Sequence, residues 1–163
     1  MKMQRKFVFS ALFVVSCVVL LNCAAQAQKK AKYVCDEPNP ANLCTAANTC
    51  GSASAACNVD VLSVRGNAVV KPEIPGAKNN QLFCVKKGTS VVWLSTSKSV
   101  GFMIYFGTDS PFDPDEPIMG GGSKKVTVKA ATPGCYKYDA GAFVSGATYG
   151  MGAGSKPELV ILP

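Results

Sequence analysis

The chain contains no histidine. Imidazole is the commonest metal ligand among side chains and the usual general base near neutral pH, so its absence removes Ser-His-Asp and Cys-His arrangements together with imidazole-based copper and zinc centres. Arginine is nearly missing as well, with Arg5 and Arg65 alone. The lysines are spread thinly, and pairs such as Lys86-Lys87 and Lys124-Lys125 have no aromatic interleaving, which argues against a nucleic-acid face. Helical stripes are absent too: after Asn58 no window of about a dozen residues keeps an apolar i, i+3, i+4 register free of Gly or Pro. Paired carboxylates are also lacking. Outside the acidic run of Asp109, Asp113, Asp115 and Glu116 and the N-terminal segment, Asp60, Glu73, Asp139 and Glu158 stand far apart, so general acid–base chemistry has no couple to use. The sequence is not expected to encode an enzyme.

No apolar run reaches the roughly 20 residues that span a bilayer. The longest, 7–21, follows Lys2, Arg5 and Lys6 and precedes Asn22-Cys23-Ala24-Ala25-Gln26-Ala27, the layout of a secretory signal. The expected signal peptide is 1–27, cut after Ala27, with lipid modification of Cys23 as the alternative. A periplasmic or secreted protein without a stable membrane anchor follows from this reading. The leader carries three of the 17 basic residues, so 17 − 3 = 14 remain against 10 acidic ones, a net +4 in place of the formal +7. That mild excess implies no particular polyanionic partner.

Eight cysteines become six without the leader: Cys35, Cys44, Cys50, Cys57, Cys84 and Cys135. An even number in an exported chain implies disulfides. The first four cluster closely, so two local bridges are expected there, leaving Cys84 to join Cys135. A four-thiolate metal knot is the alternative, although the spacings lack the short C-x2-C pairs of zinc knuckles. The stretch 28–58 has few large apolar residues and cannot build a core alone. It reads as a Cys-rich extension stapled by its bridges.

From 59 to 163 the chain turns to short β-branched and aromatic segments punctuated by Gly, Pro, Asn and Ser. Strands are predicted at 59–65, 67–71, 81–86, 89–96, 100–107, 123–130, 134–139 and 157–162. Val126 and Val128 alternate with Thr127 and Lys129, the pattern of a strand with one wet face. The unbroken Val91-Val92-Trp93-Leu94 predicts a central strand covered on both sides. Lys87-Gly88-Thr89 marks a tight turn. Pro111, Pro114 and Pro117 within the acidic run predict an exposed loop ending at Gly120-Gly121-Gly122, and 141–156, with its glycines, predicts a second long loop. The sum is an all-β, Greek-key β-sandwich of seven or eight strands.

Four stretches carry a family resemblance. Val85-Lys86-Lys87-Gly88-Thr89-Ser90-Val91-Val92-Trp93 is a strand, Gly turn and Val-x-Trp strand. Gly101-Phe102-Met103-Ile104-Tyr105-Phe106 follows, then Pro133-Gly134-Cys135-Tyr136-Lys137-Tyr138, and Glu158-Leu159-Val160-Ile161-Leu162 closes the domain. Together they resemble the cupredoxins, the plastocyanin-like copper sandwiches, over 59–163. The resemblance implies a copper ligand set of two histidines, a cysteine and an axial methionine. At those positions stand Phe102 and Phe143 for the histidines, Ala140 for the cysteine and Met151 for the methionine, so the family's trigonal site is missing. Cys135, five residues before Ala140, falls on the opposite face of its strand and does not substitute. Phe102 and Phe143 are expected to fill the vacated corner together. No metal or other cofactor is expected.

The functional reading is therefore an exported, metal-free cupredoxin-like binding or structural module with an unknown protein or glycan partner. One alternative is a periplasmic copper-handling protein that holds Cu(I) through the sulfur of Met103, Met119 and Met151, with or without a free thiol. Another is a carbohydrate-binding or cell-surface adhesion domain using the loop aromatics Phe112, Phe143 and Tyr149. The acidic run offers calcium-type oxygens, but its prolines restrict wrapping around an ion.

Overall fold

The structure, a computed structural model, describes residues 34–78, 81–108, 110–113, 117–152 and 157–163. The expected signal peptide 1–27, Cys23, Asp109, Pro114, Asp115 and Glu116 lie outside the described residues. Everything described belongs to one unit, Ala31–Pro163.

Among the described residues twelve strands carry the fold: β1 (Cys57–Val64), β2 (Asn67–Pro72), β3 (Phe83–Lys86), β4 (Ser90–Leu94), β5 (Val100–Tyr105), β6 (Phe112–Asp113), β7 (Ile118–Gly121), β8 (Val126–Ala130), β9 (Gly134–Lys137), β10 (Asp139–Val144), β11 (Ala147–Tyr149) and β12 (Glu158–Leu162). They are preceded by two short 3-10 turns, Val34–Asp36 and Pro40–Leu43. One layer has the order β2-β1-β4-β8-β6; facing it are β11-β10-β5-β7 and β3-β12-β9. The last two sheets meet where β9 runs into β10: at Tyr138 the chain leaves β12 and takes up pairing with β5. The all-β sandwich expected from the sequence is thus the fold.

All eight predicted strands exist within a few residues, and four more join them for identifiable reasons. The proline-rich run was expected to be loop throughout, yet Phe112 and Ile118 are apolar enough to be drawn into the core at β6 and β7. Its glycines serve as strand: Gly120 and Gly121 pair with Phe102 and Gly101. The second expected loop is also strand over much of its length, because β10 continues to Val144 and turns through Ser145-Gly146 into β11. Both turn residues have positive φ, 50° and 82°, as a tight two-residue hairpin requires. The predicted turn at Lys87-Gly88 is present, with Gly88 at φ 86° and Thr89 N–H donating to Lys86 O at 3.0 Å.

The inner faces are apolar, and β1, β4 and β5 reach them by alternation. Val59, Val61, Val91, Trp93, Val128 and Ala130 of the first layer meet Phe102, Ile104, Ile118, Ala140, Ala142, Phe83, Val85, Leu159 and Ile161 of the second. Burial of each large side chain contributes about 1.5–3 kcal/mol. Trp93 is the hub, in edge-on contact with Phe83, Phe106, Phe112 and Tyr138 at centroid distances of 5.8–6.5 Å. β4 is central, but Val92 and Leu94 on its outer side are only half-buried, which corrects the expectation of complete cover. Full cover belongs to β12, buried at its first four positions.

The cover over β12 comes from the N-terminal extension, and its disulfides differ from the expected pairing. Bridges join Cys35 to Cys135, Cys44 to Cys84 and Cys50 to Cys57. Cys84 and Cys135 both lie opposite Val160, one on each side of β12. Two strand spacings, about 9.5 Å, separate them, beyond the ~7 Å limit between bridged Cα atoms. Each reaches up to the extension instead, so only Cys50–Cys57 is local. Glu158, 5% exposed, is capped by the extension: Cys35 N–H donates to its Oε1 at 3.2 Å. Asp36 accepts from Lys137 Nζ at 2.8 Å beside it.

Candidate functional site

β5 and β10 are antiparallel neighbours, and paired residues on such strands point to the same face. Ala140 faces Ile104 and Ala142 faces Phe102, all inward; Phe143 faces Gly101, outward. Phe102 and Phe143 therefore sit on opposite faces of one sheet and do not share a corner, contrary to the sequence-based expectation. Phe102 is 1% exposed. Its ring lies across Gly120 of β7, where a Cβ would come within 2.6 Å of Phe102 Cζ. Met151 bridges Ala68 of β2 and packs, partly buried, against the core. Cys135 is oxidised and faces outward. Two imidazoles and a thiolate converging on one ion have no counterpart here: the inner positions offer a phenyl ring and a methyl group, and the third points away. The family's copper centre does not fit these residues.

The three aromatics expected to form a surface platform are separated in the same way. Phe112 is core, 3% exposed and stacked edge-on against Trp93 and Phe106. Tyr149 pairs with Ala142 and covers the Arg65-Gly66 turn, with its ring 3.7 Å from a Cβ position on Gly66, so it is on the other face from Phe143. Phe143 alone remains outside, half-buried.

What sequence reasoning missed lies around Phe143. On the outer face of β10-β5-β7 the rows are Asp139–Tyr105, then Gly141–Met103–Met119, then Phe143–Gly101–Gly121. Tyr105 is 47% exposed and Met119 53%, with Met103 half-buried between them. The glycines form a floor: ideal Cβ positions on Gly101 and Gly141 lie 3.5 Å and 4.0 Å from Phe143 atoms, so the ring lies flat along β10 from one toward the other. At Gly121, with φ 119°, a Cβ would collide with the Gly101 backbone, which is what permits β7 to approach β5 so closely there. The result is an exposed apolar surface of two thioethers and two rings on a backbone floor. The signal was present in the sequence: Gly101, Met103 and Tyr105 alternate with Phe102 and Ile104, so both faces of this strand are apolar while only one can be core.

Elsewhere the buried polar atoms are few. Trp93 Nε1, Tyr138 Oη, Thr89 Oγ1 and Ser95 Oγ are buried without a hydrogen-bond partner among the described residues. Burial pushes the Tyr138 hydroxyl well above its ordinary titration range, since phenolate would be desolvated. Among the described residues, no three His, Cys, Asp or Glu side chains are grouped to hold a metal. No helix in them is long and apolar enough to cross a membrane.

No protein-family model matches the chain, and no curated protein does. Among solved structures, one chain of a heme-copper terminal oxidase dimer is similar at 12% identity and TM-score 0.35, covering 93% of this chain and 92% of that one. The multicopper oxidase from Campylobacter jejuni, a metallo-oxidase, is similar at 14% identity and TM-score 0.29 over 66% of this chain and 25% of its own.

Proposed function

We propose that the protein is an exported, cupredoxin-like module that lacks the family's copper and acts by holding a partner on the outer face of β10-β5-β7. The observation that carries this reading is that face itself: Tyr105 and Met119, about half exposed, stand with Met103 and Phe143 on a floor of Gly101, Gly121 and Gly141. Exposed apolar surface of this kind costs solubility unless something covers it, and methionines and aromatic rings are the residues that adaptable binding surfaces use. Three disulfides fit an oxidising compartment outside the cytoplasm. The sequence has no histidine to serve as a general base near neutral pH, which supports recognition as the proposed role.

The test is site-specific photo-crosslinking in the exported fraction, with the reactive side chain at position 119 or, as a control, at Thr127 on the outer side of β8. A defined adduct from position 119 that disappears with Tyr105→Ser supports the reading. Adducts that are the same from both positions, or that survive Tyr105→Ser unchanged, overturn it.

A further inference from the structure

Two of the three methionines beyond residue 27 are placed side by side on one face. Met103 and Met119 are direct partners across β5 and β7. Residues so paired have Cβ atoms about 4.5–5.5 Å apart, and two unbranched thioether chains starting from there can bring their sulfurs to a common point. Sequence spacing alone would not have joined them, because the chain between them passes through β6 in the other layer. Two further features bear on what could sit between them. The floor beneath is glycine, so no side chain rises from it: Gly141 lies opposite Met103 and Gly121 is two residues along from Met119. The Phe143 ring extends over that floor to within 4.0 Å of the Gly141 Cβ position, and Tyr105 follows Met103 on the same face. The neighbourhood therefore offers soft sulfur and aromatic faces. Asp139 lies beside Tyr105, one row away from the sulfurs.

We propose that Met103 and Met119 form a surface site for a soft monovalent cation, Cu(I), with Phe143 as the adjoining aromatic wall. Thioethers are neutral and polarisable, bind hard oxygen-loving cations poorly, and select the d10 monovalent ions. An aromatic face adds attraction for a cation within about 6 Å. Because the six cysteines of the exported chain are all in disulfides, no thiolate competes for the ion. Met151, attached to β2 through Ala68, takes no part. The site is on the opposite face of the sheet from Phe102 and Ala140, and so is separate from the corner where the copper of the resembling family would lie. It shares the face of the proposed partner surface but not its premise, since an ion bound there requires no protein partner.

The experiment is an anaerobic titration of the full exported chain, disulfides intact, with Cu(I) held by ascorbate against a chromophoric Cu(I) chelator. Ag(I) is followed in parallel by the methionine ε-methyl NMR signals. One equivalent of Cu(I) is expected, with the ε-methyl signals of Met103 and Met119 shifting and that of Met151 staying still. Met103→Leu and Met119→Leu keep the side-chain volume and are expected to leave the fold intact. Substitution behind a metal ligand already costs about 10–100-fold in affinity, so losing either sulfur costs at least that, whereas Met151→Leu changes nothing. No perturbation of the two signals in the wild-type protein, or unchanged Cu(I) affinity in the Met103→Leu, Met119→Leu double variant, overturns the proposal. The crosslinking test of the partner surface is run with the chelator in excess, so the two readings fail separately.

Discussion

Individual side chains set how the inner corner between β5, β7 and β10 is filled. Phe102 reaches its buried position because Gly120 leaves room for the ring: a methyl there would meet Phe102 Cζ at 2.6 Å and Lys124 O at 2.8 Å. The apolar corner is thus a matched pair, a large residue on one strand and none on the next. Tyr138 is the less comfortable residue. Its hydroxyl is fully buried, has no hydrogen-bond partner among the described residues, and titrates far above its usual value of about 10 because burial disfavours phenolate. In the folded protein the proton is retained through pH 10, while the unfolded chain releases it. Folding stability is therefore intact below about pH 10 and falls above it, by up to about 1.4 kcal/mol per pH unit from this group. Tyr138→Phe removes both that dependence and an unpaired buried hydroxyl. At neutral pH the substitution is expected to be neutral or stabilising by about 1 kcal/mol. Urea midpoints at pH 8 and pH 11 check both halves, and a variant that loses stability at pH 8 would mean the hydroxyl has a partner.

At the scale of elements, the extension and β12 depend on one another. β12 is buried on its outer side only because residues before Cys57 lie over it, pinned by Cys35–Cys135 and Cys44–Cys84. Replacing Cys35 and Cys135 together by Ala releases a loop of 100 residues in separation, and the chain-entropy account puts the loss at about 4–5 kcal/mol, with about 2–5 typical for native bridges. The surface salt bridge from Lys137 to Asp36 adds little to this. Uncovered, Val160 and Glu158 meet water, so amide hydrogen exchange along Glu158–Leu162 is expected to accelerate more than exchange in β1 or β4. Equal acceleration everywhere would show that the bridge acts only on the unfolded chain. The same pair of cysteines marks the limit of what the sequence disclosed. Strand positions followed from alternation and Gly or Pro punctuation, which are local, and so they were legible. Disulfide partners and shared faces depend on register between strands distant in sequence. Val160 stands between Cys84 and Cys135, and Phe143 stands opposite Gly101, for reasons no local pattern contains. The outer apolar face of β5 was legible in principle, since its alternation has no polar phase. The prolines around β6 and β7 concealed the strand that completes it.

Taken whole, the molecule closes through contacts between distant segments. β1 pairs in parallel with β4, β3 with β12 across most of the domain, and the two layers meet through Trp93. Parallel pairing and long loops require closure entropy to be lost before any contact compensates, which places sandwiches among slow folders, in about milliseconds to seconds. Trp93 is the one tryptophan of the chain, and its edge contacts come from β3, β6, the end of β5 and the β9–β10 junction. Its fluorescence therefore reports assembly of both layers and not formation of any single hairpin. With the disulfides intact, stopped-flow refolding followed at Trp93 is expected to show its main phase in that millisecond-to-second range. Refolding from the reduced chain is expected to be slower, because Cys35–Cys135 and Cys44–Cys84 hold together the segments that otherwise must search for one another. A main phase in microseconds, or identical rates with and without the bridges, would mean that local hairpins and not the long-range pairings limit assembly. The strap would then be a late addition to a sandwich that forms without it.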